Sequence, residues 1–266
     1  NLRLIAGKTL MDRHCPAAVR DTALSGERDT RALIERWHGR GRLGYAITPR
    51  FAPTSTEAQL ASAGRLAAEF PDVHVHSHLA ENHAEVAWVR ELFPWSRSYA
   101  DVYDHYGLLR PRALYAHGIH LDDRDRQRLA ASGTWIAHAP TSNLYLGSGL
   151  FDFAAADASG LGYALATDVG GGTSFSLLRT MGEAYKVAQL QGQRLSPLRA
   201  FYLATLAGAR ALHLDDRIGS FRPGSEADFV VLDLAATPLI ARRCALAKTL
   251  SERLLILMTL GDDRCI

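Results

Sequence analysis

Six times along this 266-residue chain, an apolar, β-prone run ends in a polar tip and gives way to a helix-forming stretch. The runs are Leu2 to Ala6, Gly44 to Thr48, Val73 to His78, Ala113 to Gly118, Thr134 to His138 and Leu161 to Thr167. Strands that alternate with helices pair in parallel and are joined by right-handed crossovers, which makes the chain α/β. Chemically capable residues at the C-terminal ends of several strands point to a (β/α)8 TIM-type barrel, because the active site of that fold lies on that face. An open doubly wound sheet also binds ligands there, but it needs a glycine-rich nucleotide turn after its first strand, and none is present. A closed barrel has eight strands, so the chain reads as about six of eight, with the missing two expected before Asn1.

The chain opens at Asn1-Leu2-Arg3-Leu4-Ile5-Ala6, in a strand already under way and without an initiator Met, which suggests a truncated N-terminus. Apolar spacing places helices over Thr30 to His38 (Leu33, Ile34, Trp37; Asp29 as cap), Thr56 to Glu69, Glu85 to Leu92 and Asp122 to Ser132. Residues 173–213 read as further helices, one with Leu177, Leu178, Met181 and Ala184 on a single face. Gly219 to Asp233 is turn-rich and then β-prone. The expected organisation is a partial barrel over 1–213 and part of a small β-sandwich domain over 214–266.

Thirty basic and 28 acidic residues are well mixed and leave a net charge of +2, which gives neither a nucleic-acid footprint nor a membrane-surface patch. No apolar run is long enough for a membrane span, and there is no signal-peptide pattern. Cys15, Cys244 and Cys265 are scattered, and no two have metal-ligand spacing; a reduced, cytoplasmic setting is the simplest expectation.

The chemistry centres on His78 and on Glu81 three residues later, where a strand gives way to a loop. An imidazole there can hold a divalent metal, and a carboxylate beside it can carry protons to and from an activated water. His117 and Asp168 end two further strands. Imidazole nitrogens and a carboxylate oxygen suit zinc or iron. His74 and His76 share a face with His78, but strand positions two apart are separated by roughly 6.6 Å, so the three cannot easily reach one ion. His74 and His76 are expected to be structural. His138 also ends a strand, and a supporting role and a structural role both stay open for it. Arg50 offers a donor fork for a carbonyl or anion, and Phe51 a ring for stacking on a flat heterocycle. Gly170-Gly171-Gly172 permits tight backbone beside Asp168.

Several strings resemble the guanine deaminases of the amidohydrolase superfamily. They are Ile47-Thr48-Pro49-Arg50-Phe51, Ser77-His78-Leu79-Ala80-Glu81-Asn82, Ala116-His117-Gly118, His138-Ala139-Pro140-Thr141-Ser142-Asn143 and Thr167-Asp168-Val169-Gly170-Gly171-Gly172-Thr173-Ser174-Phe175-Ser176. Lys8 to Arg13 and Leu260 to Arg264 fit the same family. The resemblance runs in order over essentially the whole chain. It implies zinc-dependent hydrolysis of guanine to xanthine and ammonia, with one zinc per subunit (iron is the alternative metal) and a homodimer. It assigns His78 and Asp168 as metal ligands, Glu81 as proton carrier, His117 as hydrogen-bond partner of the attacking water, and Asp168 as an aid to its deprotonation. Arg50, Phe51, His78 and Glu81 are the implied substrate contacts.

The chain departs from the family pattern in two places. The family carries a His-x-His metal pair on its first barrel strand, and this chain has none in that place. Ala139 stands where a Cys is usual. The expectation is therefore a piece lacking both ends, with weak zinc binding, low turnover and open barrel edges that invite aggregation. Two alternatives remain at the level of the sequence. One is an amidohydrolase acting on another aminated or chlorinated heterocycle; the other is a non-catalytic barrel paralogue.

Overall fold

A computed structural model describes residues 2–266. By their contacts these residues form two compact units. One runs up to Ile136 and includes Ala158–Gly162; the other comprises Ala137–Asp157 and Tyr163–Ile266.

In the first unit the strands are β1 (Leu4–Ala6), β2 (Thr9–Leu10), β3 (Leu43–Pro49), β4 (His74–Leu79) and β5 (Ala113–His117). All pairings among them are parallel, in the order β1-β3-β4-β5, with β2 also beside β3. Leu4 pairs with Leu43, Ala46 with His74 and His78 with Ala116. This is the βα order of a (β/α)8-type barrel wall, as expected. The register brings the ends of β3, β4 and β5 side by side. β2 was not expected: Thr9 and Leu10 pair with Thr48 and Pro49 in a segment that the sequence presents as loop.

Helices α1 (Ala23–Trp37), α2 (Glu57–Glu69), α3 (His83–Leu92), α4 (Tyr99–His105) and α5 (Asp123–Ser132) alternate with the strands. Most begin where a polar side chain meets an exposed backbone N–H: Thr56, Asn82, Ser98 and Asp122 each cap a helix in this way. α1 corrects the sequence reading. It starts at Ala23 rather than Thr30, because Thr22 and Ser25 cap each other's backbone reciprocally. Its buried stripe is Gly26, Thr30 and Ile34, while Trp37, expected inside, is exposed. α4 was not anticipated at all. It buries Tyr99, Val102 and Tyr103.

β6 (Trp135–His138) carries the chain from the first unit into the second. There follow α6 (Pro140–Tyr145), α7 (Phe153–Ser159), β7 (Gly162–Leu165), α8 (Leu177–Leu190), α9 (Pro197–Leu203), α10 (Leu206–Ala211), α11 (Pro238–Leu246) and α12 (Leu250–Leu260). The Ala166 N–H donates to the His138 carbonyl at 2.9 Å, which ties the end of β7 to the end of β6. Phe151, Phe153 and Tyr163 form an aromatic core beneath His138. On α8 the expected face holds at Leu178, Met181 and Ala184, which are buried, but Leu177 is exposed. Gly182 lets α12 approach: a Cβ there would lie 2.5 Å from the Met258 carbonyl oxygen.

The β-prone run after Gly219 is a second difference. Among the described residues no strand follows β7, and Phe229, Val230 and Val231 are exposed. A strand exists only through a ladder of hydrogen bonds to a partner; the Asp233 N–H donates to the Cys265 carbonyl at 2.8 Å, but the described residues form no ladder here.

Candidate active site

Five of the residues singled out in the sequence converge in the first unit. β3 ends at Pro49 and releases Arg50 and Phe51, with the guanidinium carbon 4.7 Å from the ring centroid. β4 delivers His78, half-buried, to the same end. Its Nδ1 lies 2.6 Å from the Arg50 carbonyl oxygen. A carbonyl can only accept, so Nδ1 carries the proton and Nε2 is the lone-pair nitrogen. A second-sphere bond of this kind orients a metal-ligating imidazole.

After His78 the chain turns sharply. Ala80 has φ 49°, and its carbonyl accepts from Ile119 (3.1 Å) and His120 (3.0 Å). That turn swings Glu81 toward the end of β5. His117 there is itself left-handed, at φ 74°, and only 1% exposed. A β-carbon in that region costs on the order of 1–3 kcal/mol, a strain that persists where surrounding contacts demand it. Its Nε2 comes within 3.6 Å of Glu81 Oε2, and its ring stacks on His78 at 5.4 Å between centroids.

A cavity of about 420 Å³ opens beside this pair, lined by Phe51, Glu81, Asn82, Ala84, Glu85 and Trp88. Phe51 meets Trp88 edge-to-face at 6.3 Å and His78 at 6.2 Å, so the cavity has aromatic walls and a carboxylate edge. Neither Trp88 nor Glu85 is among the site residues expected from the sequence. Glu85 was findable, since Asn82 and Glu85 have capping-box spacing, and the Glu85 N–H does donate to Asn82 Oδ1 at 2.9 Å. Its carboxylate accepts the Glu81 N–H at 3.0 Å. Burial pushes the Glu85 carboxyl above its ordinary range, partly offset by the Tyr99 hydroxyl and the Glu81 N–H. No motif announces Trp88.

His74 is buried and His76 exposed on their strand. In the second unit, Asp168 follows β7 with φ 49°, and its carbonyl accepts the Gly172 N–H at 2.5 Å. The glycines serve close approach: a Cβ on Gly171 would stand 2.8 Å from Ser142 Oγ and 3.0 Å from Asp168 Oδ2. His138 is fully buried and stacks on Phe151 at 4.6 Å.

A catalytic zinc takes three protein ligands. Among the described residues, no three histidines, cysteines, aspartates or glutamates are grouped closely enough to hold an ion. His78 and Asp168 are donors of the right chemistry, but they do not by themselves fit a complete metal centre.

A family model described as "Amidohydrolase family" matches residues 1–262. Guanine deaminase of Escherichia coli (strain K12) is 53% identical over 266 residues, covering all of this chain and 61% of that protein. The solved E. coli guanine deaminase superposes with a TM-score of 0.98, covering 100% of this chain and 62% of that one. Guanine deaminase from C. acetobutylicum, solved with guanine bound in its active site, is 29% identical with a TM-score of 0.88, over 97% of this chain and 62% of that one. An adenosine deaminase from Xanthomonas campestris with bound zinc is 25% identical with a TM-score of 0.81, over 94% and 55% of the two chains. The chain thus spans about three fifths of the relatives it matches.

Proposed function

The chain belongs to the amidohydrolase family, and on that premise we propose that the protein hydrolyses the exocyclic C–N bond of guanine, yielding xanthine and ammonia. The observation that carries this reading is the Glu81–His117 pair, 3.6 Å apart, beside a cavity walled by Phe51 and Trp88, with the Arg50 guanidinium over the Phe51 ring. The guanine deaminase relatives support the substrate.

In this reading guanine lies against Phe51, and Arg50 donates to its carbonyl oxygen. Water adds to the ring carbon that bears the amino group. Glu81 takes a proton from the water and gives one to the adjacent ring nitrogen, then helps move a second to the departing amine. The C–N bond breaks, ammonia leaves and a carbonyl remains. His117 holds the oxygen as charge develops on it. Asp168 is the proposed second base.

The zinc-bound neighbour and the donor chemistry of His78 and Asp168 support a divalent metal, zinc or iron, in the whole protein. No step above is routed through it, because the donors described here fall short of a centre. A homodimer, a cytoplasmic location and a place in purine catabolism belong to the same proposal. No helix among the described residues is long and apolar enough to cross a membrane.

The test is xanthine formation from guanine, followed by absorbance, with parent protein and a Glu81→Gln variant. Xanthine from the parent and at most a trace from the variant is the expected result. A parent that binds guanine but never releases ammonia would overturn the reading.

A further inference from the structure

We propose that Tyr103, on α4, is a positioning residue for the site, holding the imidazole of His78 in place through the backbone carbonyl of Arg50. The inference rests on the guanine-deaminase reading for its catalytic consequence, but its geometry does not.

The Arg50 carbonyl oxygen collects three donors: the His78 Nδ1–H at 2.6 Å, the His78 N–H at 3.2 Å and the Ser77 hydroxyl at 3.2 Å. A carbonyl has two lone pairs, so three donors fix its direction closely. Behind it stands Tyr103. Its hydroxyl is 2.8 Å from Ser77 Oγ and 2.9 Å from the His78 carbonyl oxygen. The Tyr103 hydroxyl donates to the His78 carbonyl, and the Ser77 hydroxyl lies within hydrogen-bond reach of both the Tyr103 hydroxyl and the Arg50 carbonyl. The ring of His78 is thus held from both sides: by its own carbonyl bound to Tyr103, and by Nδ1 bound to the oxygen that Ser77 aligns.

Tyr103 is fully buried and cannot easily move. Tyr99 stacks on it at 5.6 Å and Tyr115 packs at 4.8 Å, with the Tyr115 hydroxyl anchored to the Leu108 carbonyl at 3.1 Å. A buried polar network whose members all find partners is rigid, and supporting bonds of this kind typically change activity by about 10–100-fold when cut.

The experiment uses Tyr103→Phe, which deletes one oxygen and keeps the ring packing, and Ser77→Ala as an independent cut in the same chain of bonds. Two quantities are read: proton exchange at His78 Nδ1 by NMR, assigned by its loss in a His78→Asn variant, and kcat and KM for guanine. Each variant is expected to speed that exchange about tenfold or more and to lower kcat about tenfold or more with KM within about twofold. The double variant should lose less than the product of the two single losses, since both variants cut the shared Tyr103–Ser77 bond. Exchange and kcat within about twofold of the parent in both variants would overturn the proposal. So would a kcat loss matched in full by a loss of folded protein in thermal melts. If the parent makes no xanthine, the substrate reading fails on its own account and the exchange rate alone decides the role of Tyr103.

Discussion

His117 Nε2 and Glu81 Oε2 stand 3.6 Å apart although their residues leave different strands, and each reaches the other only through a left-handed turn, at His117 itself and at Ala80 before Glu81. Strand ends that would otherwise run straight out of the sheet are bent toward one point. Such strain gathers where geometry matters more than local comfort.

The pair should therefore fail chemically before it fails structurally. Glu81→Gln keeps the side chain's size and its backbone bond to Glu85. Its guanine turnover is expected to fall by about 10²–10⁴-fold, the usual worth of a positioned acid–base group. Thermal melting should stay within a few degrees of the parent. Retained turnover would remove Glu81 from the mechanism.

Gly118 shows how closely the backbone is held just beyond that pair. It has φ +61°, and a Cβ there would lie 2.9 Å from Ile136 Cδ1. Gly118→Ala is expected to cost about 1–3 kcal/mol, through left-handed strain and overpacking together. The urea midpoint should move down accordingly; an unchanged midpoint would contradict this.

Much of this site was legible because its residues sit at strand tips, where a period of two ends in a polar residue. Arg50, Phe51, His78, Glu81 and His117 all stand at that kind of boundary, and parallel register does the rest by bringing neighbouring tips together. What lay hidden depends on tertiary contact. Tyr103 comes from a seven-residue helix whose apolar stripe, Tyr99, Val102 and Tyr103, spans little more than one turn. Trp88 becomes a wall only once α3 packs beside Phe51. The left-handed turns at Ala80 and His117 have no glycine to announce them. The β-prone run Phe229-Val230-Val231 misled because strand propensity says nothing about whether a partner is present.

Glu85 links the site to pH. Burial raises its pKa above the ordinary 4.5. As pH climbs past that value the unfolded chain gives up the proton first, so the folded state binds more protons and stability falls with rising pH, until the raised folded value is passed. Glu85→Gln removes the cost of that buried charge while still offering an oxygen to the Glu81 N–H. Melting temperatures should favour the variant at pH 7 and converge with the parent toward pH 4. Parallel curves over that range would count against a charge-strained Glu85.

Arg97 has the opposite character. It holds Asp122 at 2.6 Å and also bonds Asp125, which is 4% exposed, joining the start of α4 to the start of α5. Burial pushes the Asp125 carboxyl up, and the Ser98 hydroxyl and Arg97 pull it back. Arg97→Met would leave a buried carboxylate without its cation, at a cost of about 2–3 kcal/mol near neutral pH. The deficit should shrink toward pH 4, where Asp125 can take up a proton. Denaturant midpoints at the two pH values check both the size and the trend.

The cavity walls set the last prediction. Arg50 is exposed with its guanidinium over Phe51, so it contributes little to the core and is available to a ligand. A charge-assisted hydrogen bond to a purine carbonyl is worth about 1.5–3 kcal/mol, so Arg50→Ala should raise KM for guanine roughly 10–100-fold. Trp88 meets Phe51 edge-to-face, and its loss should leave the stacking ring free to tilt. Trp88→Ala is expected to weaken guanine about tenfold, since aromatic pairs contribute about 0.5–1.5 kcal/mol beyond their buried area. Trp88→Phe, which keeps an edge against Phe51, should recover most of that. An Arg50→Ala protein with undiminished guanine affinity would instead point to a ring substrate without the carbonyl, and the assignment of guanine would give way to another aminated heterocycle.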